Sequence, residues 1–135
     1  MAEINELLTA TYTLKAGETA MGQNCVAVLD TDDEGVVKRP GGEGAGNIAG
    51  VLRDKELEAG RAGCFQVAGI AKVVAASQVR VGDTLIVADA EGRVKPKGDG
   101  PHASGAGIVG RALSATSIPG SVVKCLLCIP GEFSS

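Results

Sequence analysis

Four cysteines, Cys25, Cys64, Cys125 and Cys128, are the residues in this chain best suited to chemistry. The last two form a Cys-x-x-Cys pair, which is the spacing of zinc and redox sites, and all four together could supply a four-thiolate zinc set. However, the pair falls within residues 122–129, which are predicted to form a strand, where positions i and i+3 point to opposite faces. No helix follows that a redox motif could open. The sequence therefore favours cysteines that pack as small apolar side chains, and it predicts no metal site and no cofactor.

The remaining reactive patterns also lack their usual context. The single histidine, His102, lies in a loop where no neighbouring residue positions a nucleophile for a catalytic triad. The Gly-Ala-Gly runs at 44–46 and 105–107 neither precede a helix nor carry the Gly-Lys-Ser/Thr of a phosphate loop. The acidic run at 30–34 lacks the ligand spacing and distal Glu of an EF-hand. We therefore predict loops and turns at these places, no catalytic residues, and a protein that is not an enzyme.

Composition excludes several further classes of function. The chain has 135 residues with 13 basic and 16 acidic side chains, and no basic cluster suited to nucleic acid. No apolar run approaches the length that spans a membrane. Residues 1–6 are acidic and unlike a signal peptide, which predicts that the protein starts in a cytoplasm. With two Phe, one Tyr and no Trp, the core is modest, so a partner subunit would add useful stability.

The elements that must position these residues are short strands separated by frequent turns. About ten strands with turns every 8–12 residues predict an all-β, Gly-rich sandwich or barrel. The charged stretch 53–60 is predicted as one helical turn ended by Gly60. We predict an N-terminal arm at 1–11, a single β domain at 12–130 and a tail at 131–135. The predicted strands are 12–14, 25–29, 36–39, 48–52, 64–67, 70–75, 84–88, 93–96, 108–113 and 122–129.

The second half of the chain partly repeats the first, with halves at about 14–75 and 79–129. The matching positions are Gly, Ala, Val and turn acids rather than reactive groups, which indicates a repeated way of folding hairpins and hence a scaffold. At these offsets Cys64 and Cys125 are equivalent. The three matches pair 17–19 with 82–84, 34–38 with 91–95, and 44–52 with 105–113.

The order of motifs from Asn47 to Pro130 resembles the small capsid cement, or head decoration, proteins of tailed bacteriophages. The motifs that carry the resemblance are 48–52 (IAGVL), 67–73 (VAGIAKV), 81–85 (VGDTL), 91–94 (EGRV), 107–113 (GIVGRAL) and 121–127 (SVVKCLL). The resemblance implies a compact fold of the β-tulip type, as in lambda-like decoration proteins. It also implies a homotrimer on the exterior of the virion, which clamps subunits of the major capsid protein after synthesis in the bacterial cytoplasm.

The resemblance implies that the N-terminal arm, residues 1–11, contacts the capsid. Decoration proteins often pair an N-terminal arm with the shell, so Ile4, Leu7, Leu8 and Tyr12 are candidate capsid contacts through strand addition and apolar anchoring. A frayed terminus is the alternative interpretation of residues 1–11. For the whole chain, the alternative function is a β-barrel binding or carrier module of a cellular protein, which a strictly monomeric state with a small-molecule pocket would favour.

Overall fold

Short strands make up the part of the chain described by the computed structural model, residues 9–98 and 107–128, and no helix occurs there. The all-β prediction is therefore confirmed. The strands in this part are β1 (Thr9–Leu14), β2 (Met21–Gly22), β3 (Val26–Leu29), β4 (Val36–Lys38), β5 (Ile48–Leu52), β6 (Glu56–Leu57), β7 (Ala62–Gln66), β8 (Ile70–Val74), β9 (Thr84–Val87), β10 (Val94–Pro96), β11 (Ile108–Ala112) and β12 (Val122–Leu127).

Two local predictions differ from the structure. The stretch 53–60 contains the strand β6 rather than a helical turn, because Leu57 pairs with Met21 of β2 and both side chains are buried in one core. An extended backbone makes this pairing possible, and Gly60 then turns the chain at a φ of +80°. Strand β1 begins at Thr9, inside the segment that the sequence assigned to the arm.

The two halves of the chain have the same strand order. In the first half, β1, β4, β3, β5 and β7 form a closed barrel. In the second half the sheet runs β10, β9, β11, β12, β8. If β8 to β12 stand for β1, β3, β4, β5 and β7 respectively, the second sheet has the ring order of the first barrel, opened between the counterparts of β1 and β4.

Hydrogen bonds outside the ladders repeat as well. Gly60 N donates to Leu14 O at 2.7 Å, and Gly120 N donates to Ala75 O at 2.7 Å. Likewise, Leu52 pairs with Phe65 in the first half, and Ala112 pairs with Cys125 in the second. The offset between these strands is thus 60 residues rather than the 61 of the Gly-Ala-Gly match. Phe65, and not Cys64, is therefore the counterpart of Cys125.

A second correction concerns the match of 17–19 with 82–84. Asn24 N donates to Leu52 O at 2.9 Å, and Gly82 N donates to Ala112 O at 2.8 Å. Both Asn24 and Gly82 adopt a positive φ. The counterpart of Gly82 is therefore Asn24, since the two residues make the same turn with different side chains.

The halves differ in how the barrel closes. In the first half, β1 and β4 pair in parallel, and Thr13 N donates to Gly35 O at 3.0 Å. The counterparts of those two groups are Val74 N and Gly92 O, and both bond to the first half instead. Val74 N donates to Asn24 O at 3.3 Å, and Gly92 O accepts from Val26 N at 2.8 Å.

This exchange leaves the second barrel open on one side. In the described residues, the parallel pairing that closes the first barrel is represented in the second half by a single bridge, between Ala75 and Val94. Three residues of the first half, Val26, Ile48 and Val51, fill the opening and belong to the core of the second half. The first barrel has its own core, in which Phe65 is fully buried.

Candidate interaction surface

Three of the four cysteines, Cys25, Cys125 and Cys128, lie in environments that keep their thiols protonated. Burial, and to a lesser extent the nearby Cys128, raise the pKa of Cys125 to about 12. Burial also raises the pKa of Cys128, while burial and the carboxylates of Glu91 and Asp89 raise that of Cys25. Since the thiolate is the form that attacks electrophiles and binds metals, these environments oppose both roles. Within residues 9–98 and 107–128, no three His, Cys, Asp or Glu side chains come together as a metal site would require.

The other residues singled out from the sequence fall in different places. His102 lies outside the described residues, as do Ile4, Leu7 and Leu8. The acidic run 30–34 forms a turn between β3 and β4, where Asp30 is buried 3.7 Å from Lys15 Nζ and the acids that follow are exposed. The structure therefore shows a hairpin turn at this run, in which Asp30 is buried and residues 31–34 are exposed.

Tyr12 lies on β1, opposite Gly63 of β7. Its half-buried ring meets Phe65 edge-on, with ring centroids 5.7 Å apart and an interplanar angle of 67°. The ring therefore packs against the core of the first barrel, and only its remaining exposed part is open to a partner.

A surface with both exposed apolar and basic side chains lies on β8, β12 and β11, and we call it the basic face. Its apolar members are unusually exposed, with Ile70 at 59% and Leu126 at 47% of their full accessibility. Ile70 lies directly opposite Leu126, and Lys72 lies directly opposite Lys124. The basic face comprises Ile70, Lys72, Arg111, Val122, Lys124 and Leu126.

The same place on the first half has a different character. There Thr9 lies opposite Gln66, and Thr11 lies opposite Cys64. Neutral side chains thus occupy the positions that carry two lysines and two large apolar residues in the second half. Because like charges directly opposite each other destabilise a sheet, the lysine pair is costly unless another group neutralises it.

A groove adjoins the basic face. It has a volume of about 430 Å³ and is lined by Thr84, Ile108, Gly110, Arg111, Leu126, Leu127 and Cys128. Gly110 has no room for a side chain, since a Cβ there would lie 2.2 Å from Leu126 O.

The groove stands where the first half makes its contact with the second. By the offsets given above, Thr84, Ile108 and Arg111 are the counterparts of Val26, Ile48 and Val51. The first-half residues are at most 5% exposed because they fill the open second barrel. In the described residues no further unit packs on the equivalent patch of the second half, where Thr84 and Ile108 are half-buried and an exposed Arg111 stands in place of Val51.

The sequence contained part of the signal for this surface. Residues 122–127 alternate strictly between exposed and buried, which places Val122, Lys124 and Leu126 together on one face. The register between β8 and β12 brings Lys72 opposite Lys124, and strand prediction alone does not supply that register. For the same reason, the sequence-based candidates did not include this face.

Comparisons with known proteins agree with the all-β architecture. A scan of protein families and a search of characterised proteins found no match to this sequence. Among solved structures, the fold is similar to the crystal structure of the head fiber gp8.5 N base in bacteriophage phi29, with a TM-score of 0.61 and 18% sequence identity. The match covers 89% of this chain and 92% of that chain. At this identity the likeness shows a shared fold.

No helix in the described residues is both long enough and apolar enough to cross a membrane.

Proposed function

We propose that this chain is a structural protein of a tailed-phage head, which binds the outside of the assembled shell as a homotrimeric decoration protein and stabilises it. The observation that carries the proposal is the fold shared, over nearly the full length of both chains, with the base of a phage head fibre. The motifs of residues 47–130 that resemble capsid cement proteins support the same conclusion from the sequence. In this proposal the protein is made in the bacterial cytoplasm, ends on the virion exterior, and performs no catalysis.

The contacts with the major capsid protein are assigned to the arm, through Ile4, Leu7, Leu8 and the exposed part of Tyr12. An extended arm can add a strand to a sheet edge of the shell, with main-chain hydrogen bonds giving affinity and alternate side chains giving specificity. The resemblance to decoration proteins includes the β-tulip type of fold, and that subtype also belongs to the proposal.

The energetics of such a protein do not require a large patch on each copy. A trimer presents three weak patches together, and the joined sites gain avidity that one copy lacks. Because the protein would bind the assembled shell and not free capsid subunits, its binding shifts the equilibrium toward the intact shell.

The test is co-sedimentation of the purified protein with expanded shells of its own phage, followed by electron microscopy of the decorated particles. We expect density at three-fold or quasi-three-fold positions, and light scattering of the free protein distinguishes a preformed trimer from assembly on the shell. The triple variant I4S/L7S/L8S should bind at least tenfold more weakly. Ile118→Ser is the matched control, because Ile118 is 65% exposed on the folded domain and lies outside the arm. Full-length protein that stays in the supernatant would refute shell binding.

One observation favours a second candidate, a β-barrel binding module of a cellular protein. The groove beside β11 has a volume of about 430 Å³, which lies in the range of small-ligand sites. This candidate requires a strict monomer in solution and a saturable ligand whose binding is lost in Arg111→Ala. A trimer that binds shells and no small ligand would exclude it.

A further inference from the structure

The two lysines of the basic face point to an acidic occupant. Lys72 and Lys124 face each other across the β8–β12 ladder, and no carboxylate of the described residues forms an ion pair with either. Ile70 and Leu126 lie beside them as an exposed apolar pair. A segment that carries both carboxylates and apolar side chains would neutralise the lysines and cover the apolar pair together.

Residues 1–8 have this composition. The segment Met1-Ala2-Glu3-Ile4-Asn5-Glu6-Leu7-Leu8 contains two acids, three large aliphatic side chains and no base among its side chains. Its formal charge is opposite to that of the basic face.

The segment also joins the domain close to this face. It enters β1 at Thr9, which pairs with Gln66, and Gln66 Nε2 donates to Ile70 O at 2.8 Å. Eight extended residues reach about 27 Å. The five residues of β8 span about 17 Å, so the segment can cover the length of the face from its point of attachment. A tether this short supplies an effective concentration in the millimolar range.

We propose that residues 1–8 dock on the basic face of their own chain in the free protein. The carboxylates of Glu3 and Glu6 neutralise the lysine pair, while the aliphatic side chains cover Ile70 and Leu126. Docking removes the like-charge repulsion that the second half carries and the first half lacks. It concerns the free protein and does not rest on the proposed shell binding, although the arm must leave the face before it can pair with a shell.

Lysine footprinting of the full-length protein tests the docking. The protein is treated briefly with an acetylating reagent, and mass spectrometry gives the rate at each lysine. We expect Lys72 and Lys124 to react several-fold more slowly than Lys55, an exposed lysine of the first half. The double variant E3Q/E6Q should raise both rates to that of Lys55. The matched control E56Q/E58Q removes two exposed acids of the folded domain and should change neither rate.

The remaining outcomes decide between occupants. Rates at Lys72 and Lys124 equal to that at Lys55 in the unmodified protein would overturn the proposal, as would slow rates that E3Q/E6Q leaves unchanged. Slow rates that rise on dilution would assign the face to a second copy of the chain and overturn docking within one chain. The measurement involves no shells, so its failure is distinguishable from failure of the proposed function.

Discussion

The first and second halves of this molecule share a strand order but differ in what their outer surfaces do. The first half is a closed barrel with neutral residues on its β1–β7 face, and its outward residues Val26, Ile48 and Val51 are buried in the neighbouring half. The second half is held open and carries an exposed face with two opposed lysines. The difference shows that the repeated feature is a backbone path. The outward side chains, which differ between the halves, decide which surface is internal and which is available to a partner.

The largest loss of stability is expected when an outward residue of one half is replaced by its counterpart from the other half. Val51→Arg places at position 51 the arginine found at its counterpart, Arg111. Val51 is only 2% exposed, however, and belongs to the core of the second half. An unpaired buried charge there should cost more than about 4 kcal/mol in the free energy of unfolding or prevent folding. The reverse change, Arg111→Val, lies at an exposed position and should stay within about 0.5 kcal/mol. Urea unfolding measures both, and similar losses in the two variants would contradict the assignment of inside and outside.

A smaller effect separates the two turn glycines. Gly35 and Gly92 are counterparts with φ of +76° and +88°, so alanine at either position is strained by about 1–2 kcal/mol. Only at Gly92 would the new Cβ also meet the other half, at 2.5 Å from Val26 O, whereas at Gly35 it meets nothing within 4 Å. Gly92→Ala should therefore cost about 1–3 kcal/mol more than Gly35→Ala. Equal losses of stability, measured by the midpoint of urea unfolding, would mean that the halves do not depend on this close contact.

The smallest expected effect is a pH dependence of stability that comes from Cys125. Its counterpart Phe65 has no group that titrates. The folded pKa of Cys125, about 12, lies above the unfolded value of about 8.5. The unfolded chain therefore releases this proton first, so the stabilising contribution is complete below about pH 8.5 and is lost as pH rises toward 12. Between pH 8.5 and 9.5 the loss from this thiol is about 1 kcal/mol.

Cys125→Val isolates that contribution, because the readout is the slope of unfolding free energy against pH rather than its absolute value. The variant should have a shallower slope than the unmodified protein between pH 8 and 9.5. The slope that remains includes Cys25 and Cys128, whose pKa values are also raised. Identical slopes would show that Cys125 is not held protonated by the fold.

The sequence predicts well the strands that are apolar runs between turns, and it misses the two-residue strands, for a physical reason. Strand β5 begins and ends where predicted, since Ile48 to Leu52 form an apolar run bounded by turn residues. Strands β2 and β6 contain two residues each, and the burial of Met21 and Leu57 against one core defines them. No local pattern marks such a pair, because the partners are 36 residues apart.

The candidate site was less predictable than the fold. Alternation within β12 is visible in the sequence, but the opposition of Lys72 and Lys124 depends on the register between two strands 52 residues apart along the chain. Repeated Gly-Ala-Gly runs also placed Cys64, instead of Phe65, at the position of Cys125. Glycine and alanine tolerate a one-residue shift in a sequence comparison, whereas hydrogen bonds such as that from Gly120 N to Ala75 O do not.

The hydrogen bonds that Asn24 and Val26 make with Val74 and Gly92 have a consequence for biosynthesis. The ribosome synthesises residues 9–66 before the second half, and all the strand pairings that close the first barrel lie within those residues. The second half, by contrast, needs two backbone groups and three side chains that it does not contain. We expect the first barrel to form during translation and to act as the template on which the second half assembles. Vectorial synthesis thus supplies the template before the part that needs it.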